Sequence, residues 1–333
     1  MEDKAQKIKL GISMGDPNGV GIEILLKAFE DKRMFDFFTP IVFANTKLLS
    51  RQKKHFESKT PLSPYTLGKK PSAHQLNVVE VFSSDFTTTF GQATEAGGQL
   101  AFASLAAATK ALKEGAIEAL VTAPINKKNI QSADFSFPGH TDYLAHQLDG
   151  EALMFMISEQ LRVGLLTDHI PVSEVATTIT PTLVEKKVAM MMASLQQDFL
   201  IPKPKIAVLG INPHTGDNGV IGNEDDTLLR PTIEKLYAKG HLVFGPYAAD
   251  GFFGSGLAKE FDAVLASYHD QGLIPFKTLT FGQGVNYTAG LSKVRTSPDH
   301  GTAFDIAGKG QADISSFKQA LFAARAIYLN RQH

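Results

Sequence analysis

The chain has 333 residues, 43% of them hydrophobic and 20% charged, and its 33 basic and 34 acidic side chains nearly cancel. That length suits two α/β domains better than one core, and the balanced charge removes the electrostatic case for nucleic acid or an anionic membrane surface. With no cysteine there is no disulfide, thiolate site or cysteine nucleophile, so any metal must be held by His, Asp or Glu.

In chain order, the opening MEDKAQKIKL lacks the apolar centre of a signal peptide, and no later apolar run reaches the length of a membrane span. A cytoplasmic protein is expected. Short β-type runs then alternate with longer helical patterns. Strands are predicted at 8–14, 40–44, 77–82, 119–123, 153–157, 162–166, 205–211, 242–247 and 262–266. Several are apolar at both alternating positions, as strands covered on two faces are. Helices are predicted at 22–30, 95–114, 183–199, 225–238 and 317–330, and the polar stretch 57–70 reads as a surface loop. This alternation predicts parallel or mixed sheets flanked by helices.

In such sheets ligands gather beyond the carboxyl ends of the strands. The loops there read GDPNGVG (15–21), TAPINK (122–127), TDH (167–169), NPHTGDNG (212–219), ADG (249–251) and YHDQG (268–272). His169, His214 and His269 each follow an apolar strand within a few residues, whereas His55, His74, His146, His241 and His333 do not. Three imidazoles suit a catalytic divalent-metal site with an open position; the bland reading of each is a surface or satisfied core histidine. Asp168 and Asp270 stand beside two of them and could orient a ring or merely cap a helix.

GDPNGVG opens a helix and could receive an anion on backbone N–H groups, or be a tight turn needing positive φ at glycine. It is neither GxGxxG nor GxxxxGK[ST], so no dinucleotide fingerprint or P-loop is present. In FPGHTDYLA (137–145), His140 and Thr141 could meet a substrate phosphate or hydroxyl, or Thr141 could be a helix cap. Lys277, Asn286 and Arg295 add two cations and an amide of the kind a phosphate monoester calls for, or the cations are ordinary scattered surface residues. In RTSPDHGTAFDIAGKG (295–310), Asp299, His300 and Thr302 precede a helix, with Gly301 open to close approach by a ligand.

Taken together, these motifs resemble the 4-hydroxythreonine-4-phosphate dehydrogenase family of vitamin B6 biosynthesis. The likeness runs from GDPNGVGIE through TAPINK, FPGHTDYLA, NPHTGDNG, YHDQGLIPFK and GVNYTAGL to the 295–310 stretch. It implies a two-domain α/β fold like that of isocitrate and isopropylmalate dehydrogenases, with the active site in the interdomain cleft. Residues 1–125 plus 276–333 would form a discontinuous first domain, and 126–275 a second domain with the metal histidines and the dimer interface. One divalent metal (Zn, Mg or Co) would be held by His169, His214 and His269, drawn from both subunits of a homodimer. Substrate would meet His140, Thr141, Lys277, Asn286 and Arg295; His140, Lys277 and Asp270 would carry the catalytic roles. His300, Gly301, Thr302 and Asp305 would hold NAD, with NADP as the variant.

The implied reaction oxidises C3 of 4-phosphohydroxy-L-threonine to 2-amino-3-oxo-4-(phosphooxy)butanoate. That β-keto acid loses CO₂ to give 3-amino-2-oxopropyl phosphate. The chain departs from the family pattern at Ile22, where proline is usual, at Thr215-Gly216-Asp217 and at Ala123, none of which is an implied ligand-binding position. A paralogous dehydrogenase of 4-phosphothreonate or 4-phosphoerythronate in sugar-acid catabolism is the nearest alternative. A zinc hydrolase of a phosphorylated substrate would leave the 300–310 stretch unused, and a non-catalytic binding protein would need no metal histidines beside an anion site.

Overall fold

The computed structural model describes residues 7–83 and 85–332. Most of the opening stretch read above as no signal peptide, and His333, lie outside the described residues. The packing divides the chain into two compact units, Met1–Gly150 with Leu291–Leu329 and Glu151–Gly290 with Asn330–His333. The sequence reading set its limits at 125/126 and 275/276. No helix among the described residues is long and apolar enough to cross a membrane.

The strands are β1 (Ile8–Ser13), β2 (Phe38–Ala44), β3 (Leu62–Tyr65), β4 (Leu76–Glu80), β5 (Ala119–Thr122) and β6 (Gly150–Ile157). They continue with β7 (Arg162–Leu165), β8 (Ile206–Leu209), β9 (Val243–Tyr247), β10 (Ala263–Ala266), β11 (Val285–Leu291) and β12 (Val294–Pro298). All nine predicted strands form.

In the first unit the order is β3-β4-β2-β1-β5-β12, parallel throughout. β3 lies in the stretch read as a loop. It escaped notice because LSPY is polar and carries Pro64, which an edge strand tolerates because one side of its backbone needs no partner. β1, β2 and β5 are almost wholly buried, which explains their unbroken apolar character. The helix Glu95–Lys113 covers them with Gly97, Leu100, Ala101, Ser104, Leu105, Ala108 and Leu112, a stripe at three- and four-residue spacing. Within that stripe, the Ser104 hydroxyl donates to the Phe43 carbonyl at 2.6 Å and accepts the Met14 N–H at 2.9 Å. It thereby satisfies backbone groups where β1 and β2 end.

In the second unit the order is β11-β6-β7-β10-β8-β9, with β7, β10, β8 and β9 parallel and β6 antiparallel to β7. Its core joins Met154, Met156, Val163, Leu165, Leu209, Val264, Leu273 and Phe276. The helix Pro181–Gln197 begins two residues before the predicted start at 183: Thr180 accepts the Leu183 N–H at 3.2 Å and Pro181 occupies the first turn.

A helix not predicted, His269–Thr280, starts directly after YHDQG's tyrosine, with Tyr268 as its cap residue. The glycine that closes YHDQG, Gly272, is a residue type common in turns. Here it is helical, and a β-carbon there would lie 2.8 Å from Val163 and 2.9 Å from Ala266. Its role is to let this helix lie flat on β7 and β10.

Candidate active site

Each unit carries its own cluster of polar groups at strand ends. In the first unit, β12 pairs with β5 so that Arg295 lies opposite Leu120. Arg295 is 1% exposed. Its Nε and Nη2 donate to the Thr122 hydroxyl at 3.1 and 2.6 Å. Burial pushes the guanidinium pKa down to about 9, because removing a charge from water disfavours it.

His140 opens the helix His140–Gln147 behind Gly139. Burial, and then the positive charges of Arg295 and Lys127, hold its pKa well below the ordinary histidine value. The ring is therefore neutral at neutral pH. Its Nε2 is buried without a hydrogen-bond partner within the protein, an expense that a bound oxygen would remove. Thr141 sits inside the first turn, and the cap position belongs to Gly139, so the helix-cap reading of Thr141 does not hold. Lys127 was missed among the sequence candidates. It ends the TAPINK loop, and a β-carbon on Gly139 would lie 3.8 Å from its Cε.

GDPNGVG is a turn. Gly15 has φ +70, and Asp16 is buried with its pKa raised chiefly by burial. The Asp16 carboxylate accepts the Asn18 N–H at 2.9 Å and the Asn129 amide at 2.8 Å. The Gly19 and Val20 N–H groups go to the carbonyls of Asp16 and Thr302. With these donors engaged, the loop is built to join segments of the unit and the anion reading falls.

The 300–310 stretch is pinned to the same region. Lys27 Nζ donates to the Gly310 carbonyl at 2.7 Å, buried Glu23 accepts the Ala312 N–H at 2.9 Å, and His55 Nε2 lies 2.8 Å from the Gly308 carbonyl. His300 Nδ1 lies 3.0 Å from the Gly301 carbonyl, and its buried Nε2 has no partner within the protein. Asp305 is exposed and the space around Gly301 is open. A nicotinamide dinucleotide fits this set: an open glycine for close approach and an unsatisfied ring nitrogen as donor or acceptor.

In the second unit, the rings of His169 and His269 stand 5.7 Å apart. They line a cavity of about 250 Å³ with Asp168, Tyr268 and Asp270. His269 Nδ1 lies 2.7 Å from the Asp270 carboxylate, which fixes the ring and leaves Nε2 open to another partner. Asp168 accepts the His169 N–H at 2.7 Å. The half-buried Lys187 was also missed; its pKa is lowered mainly by burial and raised in part by Asp168.

His214 stands apart from the pair, exposed on its loop. Among the described residues no three or more His, Asp or Glu side chains gather as a metal site. The structure brings His169 and His269 together and does not add His214 to them. His214, Thr215, Asp217 and Asn218 all have positive φ, between 46° and 55°. That left-handed backbone costs about 1–2 kcal/mol per residue and persists only where surroundings enforce it. Lys277 is exposed on the helix His269–Thr280, and Asn286 on β11 has a buried side-chain oxygen without a partner within the protein.

Polar side chains collected near the ends of parallel strands, with a buried guanidinium beside a neutral imidazole, mark an α/β enzyme. The model of the family described as "Pyridoxal phosphate biosynthetic protein PdxA" matches residues 36–324. A 4-hydroxythreonine-4-phosphate dehydrogenase of Bacteroides thetaiotaomicron is 45% identical over 98% of this chain and 90% of its own. A protein of Oceanobacillus iheyensis, provisionally named a D-threonate 4-phosphate dehydrogenase, is 37% identical over 96% of this chain and 98% of its own. The crystal structure of 4-hydroxythreonine-4-phosphate dehydrogenase from Klebsiella pneumoniae superposes with a TM-score of 0.82 at 32% identity, covering 99% of this chain and 100% of that one. The chain belongs to the PdxA family of enzymes.

Proposed function

We propose that this chain is a 4-hydroxythreonine-4-phosphate dehydrogenase. It oxidises C3 of 4-phosphohydroxy-L-threonine to 2-amino-3-oxo-4-(phosphooxy)butanoate, which loses CO₂ to give 3-amino-2-oxopropyl phosphate. The observation that carries the reading is the buried Arg295–Thr122 pair beside His140, whose buried Nε2 has no hydrogen-bond partner within the protein: a guanidinium and an imidazole so placed suit the oxygens of a phosphate.

Arg295 and Thr122 hold the phosphate, with Lys127 adding charge, and His140 Nε2 supplies or accepts one hydrogen bond to a substrate oxygen. Thr141, Lys277 and Asn286 complete the set of substrate contacts. His169, His269 and His214 would hold a divalent ion (Zn, Mg or Co), and His300, Gly301, Thr302 and Asp305 the NAD or NADP. When bound, the nicotinamide takes the C3 hydride and the ion polarises the C3 oxygen as a Lewis acid. Asp270 fixes the His269 ring, and Lys277 is a candidate acceptor of the hydroxyl proton.

Homodimerisation belongs to the same proposal. The large apolar side chains left exposed among the described residues include Val172, Val220, Ile221, Ile274 and Phe281, all in the second unit, and unburied apolar surface favours association. A second copy would supply the imidazole that one chain does not bring up. The isocitrate dehydrogenase-like arrangement and a cytoplasmic setting complete the proposal.

The Oceanobacillus relative favours one second reading, a hydroxy acid in place of the amino acid. Reduced nicotinamide formation should be followed with 4-phosphohydroxy-L-threonine and with D-threonate 4-phosphate, each with and without EDTA. Turnover of the amino acid that EDTA abolishes supports the proposal. Turnover of the hydroxy acid alone moves the enzyme to sugar-acid catabolism, and no turnover of either refutes both.

A further inference from the structure

We infer that Asp225 and Gln271 are positioning residues that set the place of His214, an inference that rests on the proposed metal role of that histidine. The NPHTG loop leaves β8 at Gly210 and turns at once into its left-handed run. Nothing in that run enforces itself: the hydrogen bonds within it, such as Asp217 N–H to the His214 carbonyl at 3.2 Å, are local.

The enforcement comes from elsewhere in the unit. Asp225 is fully buried at the start of a π-helical turn, Asp225–Leu229, a form that concentrates at functional sites. One carboxylate oxygen accepts the Ile211 N–H at 2.8 Å. The other accepts the Asn212 N–H at 2.9 Å and the Asn212 side-chain amide at 3.0 Å. Glu224 takes a second bond from that amide at 2.8 Å. Gly210 makes room for this: a β-carbon there would lie 2.9 Å from the Asp225 carboxylate and 3.0 Å from Thr215. Two consecutive backbone donors and one side chain just before His214 are thus held by one buried anion.

Gln271 grips the same loop from the other side. Its amide nitrogen donates to the Gly210 carbonyl at 2.7 Å, and its oxygen accepts the Ser267 N–H at 2.7 Å. One side chain therefore ties the root of the His214 loop to the strand end that leads into His269. The amide in YHDQG has this use: it fixes one imidazole-bearing segment against another. Substitution of such a group leaves the ligands in place but lets them wander, and partners that orient metal ligands are worth 10–100-fold in affinity.

The test is titration of cobalt(II) into metal-free protein, read by its visible absorption, for wild type, His214→Ala, Asp225→Asn and Gln271→Ala, with thermal melts alongside. The inference predicts that His214→Ala abolishes tight binding. It also predicts that Asp225→Asn and Gln271→Ala weaken binding by roughly 10–100-fold with an altered absorption band, while melts stay cooperative. Should Asp225→Asn not fold, Gln271→Ala, which leaves the carboxylate in place, decides alone. Wild-type affinity and spectrum in Gln271→Ala and in any folded Asp225→Asn, with loss in His214→Ala, overturns the inference and keeps the metal reading. Unchanged binding in His214→Ala refutes the metal role of that residue itself.

Discussion

A buried arginine in the first unit and a half-buried one in the second are treated in opposite ways. In the second unit, Arg331 lies 2.6 Å from the Asp198 carboxylate and also donates to the Tyr287 hydroxyl at 2.8 Å. Tyr287 in turn donates to Asp198 at 2.6 Å, as does Ser194. Burial works against the Arg331 charge, yet Asp198 and Tyr287 outweigh it and its pKa is raised; burial and the neighbouring carboxylate keep the Tyr287 phenol un-ionised. In the first unit, burial pushes Arg295 down to about 9. The first arrangement belongs to architecture, with its charge compensated inside the protein. In the second, the Thr122 hydroxyl that Arg295 meets carries no charge, and the proposed phosphate would add an opposing one, as in sites that trade stability for binding.

Several changes would break or sharpen that contrast. Breaking the compensated pair has the largest effect on the fold: Arg331→Met should lower stability by about 3–5 kcal/mol, since Asp198 is left buried and charged, read by denaturant unfolding. Arg295→Met should leave melting unchanged or raise it, while kcat/KM for the phosphorylated substrate falls by the equivalent of about 2–5 kcal/mol. If Arg295→Met destabilises as strongly as Arg331→Met, the two arginines are alike and the contrast fails. Asp270→Asn, which loosens the His269 ring without touching the arginines, should cost about 10–100-fold in metal affinity by equilibrium dialysis.

Acidity separates the units further. His140 stays neutral in the folded protein at pH values where an unfolded histidine takes a proton. Its contribution to stability is thus complete above about 6.5 and is lost as pH falls below it. His140→Gln should flatten that acid limb in a pH series of melts. At the other end, kcat/KM should decline as pH rises through about 9, where free-enzyme Arg295 sheds its charge. Arg295→Lys should move or remove that limb. Thr180→Ala, which removes only a helix cap in the second unit, should cost about 1 kcal/mol of stability and leave both pH limbs intact.

The sequence made parts of this legible for identifiable reasons. The buried parallel strands declared themselves through apolar residues at both alternating positions, and the long helices through their apolar periodicity, although the cap at Thr180 went unread. β11 and β12 were hidden because VNYTAGL and VRTSP carry the polar groups of the site itself, Asn286 and Arg295. The helix His269–Thr280 was hidden by Pro275 and by the polar start that YHDQG gives it. Among candidate site residues, the histidines just after strands stand out by position. Lys127 and Lys187 do not, because a lysine becomes informative only when the fold places it beside other titratable groups, as it does Lys127 near His140 and Lys187 near Asp168. Asp225 looked like an ordinary helix-opening carboxylate, and only its three hydrogen bonds back to Ile211 and Asn212 show otherwise.

The most direct test of the central claim is the initial rate of nicotinamide reduction by wild type and Arg295→Met, with 4-phosphohydroxy-L-threonine and with the same compound lacking its phosphate. Wild type should strongly prefer the phosphorylated substrate, and Arg295→Met, folded as shown by its melt, should lose most of that preference. An Arg295→Met enzyme that keeps the wild-type preference would contradict the account, because the phosphate would then be recognised elsewhere.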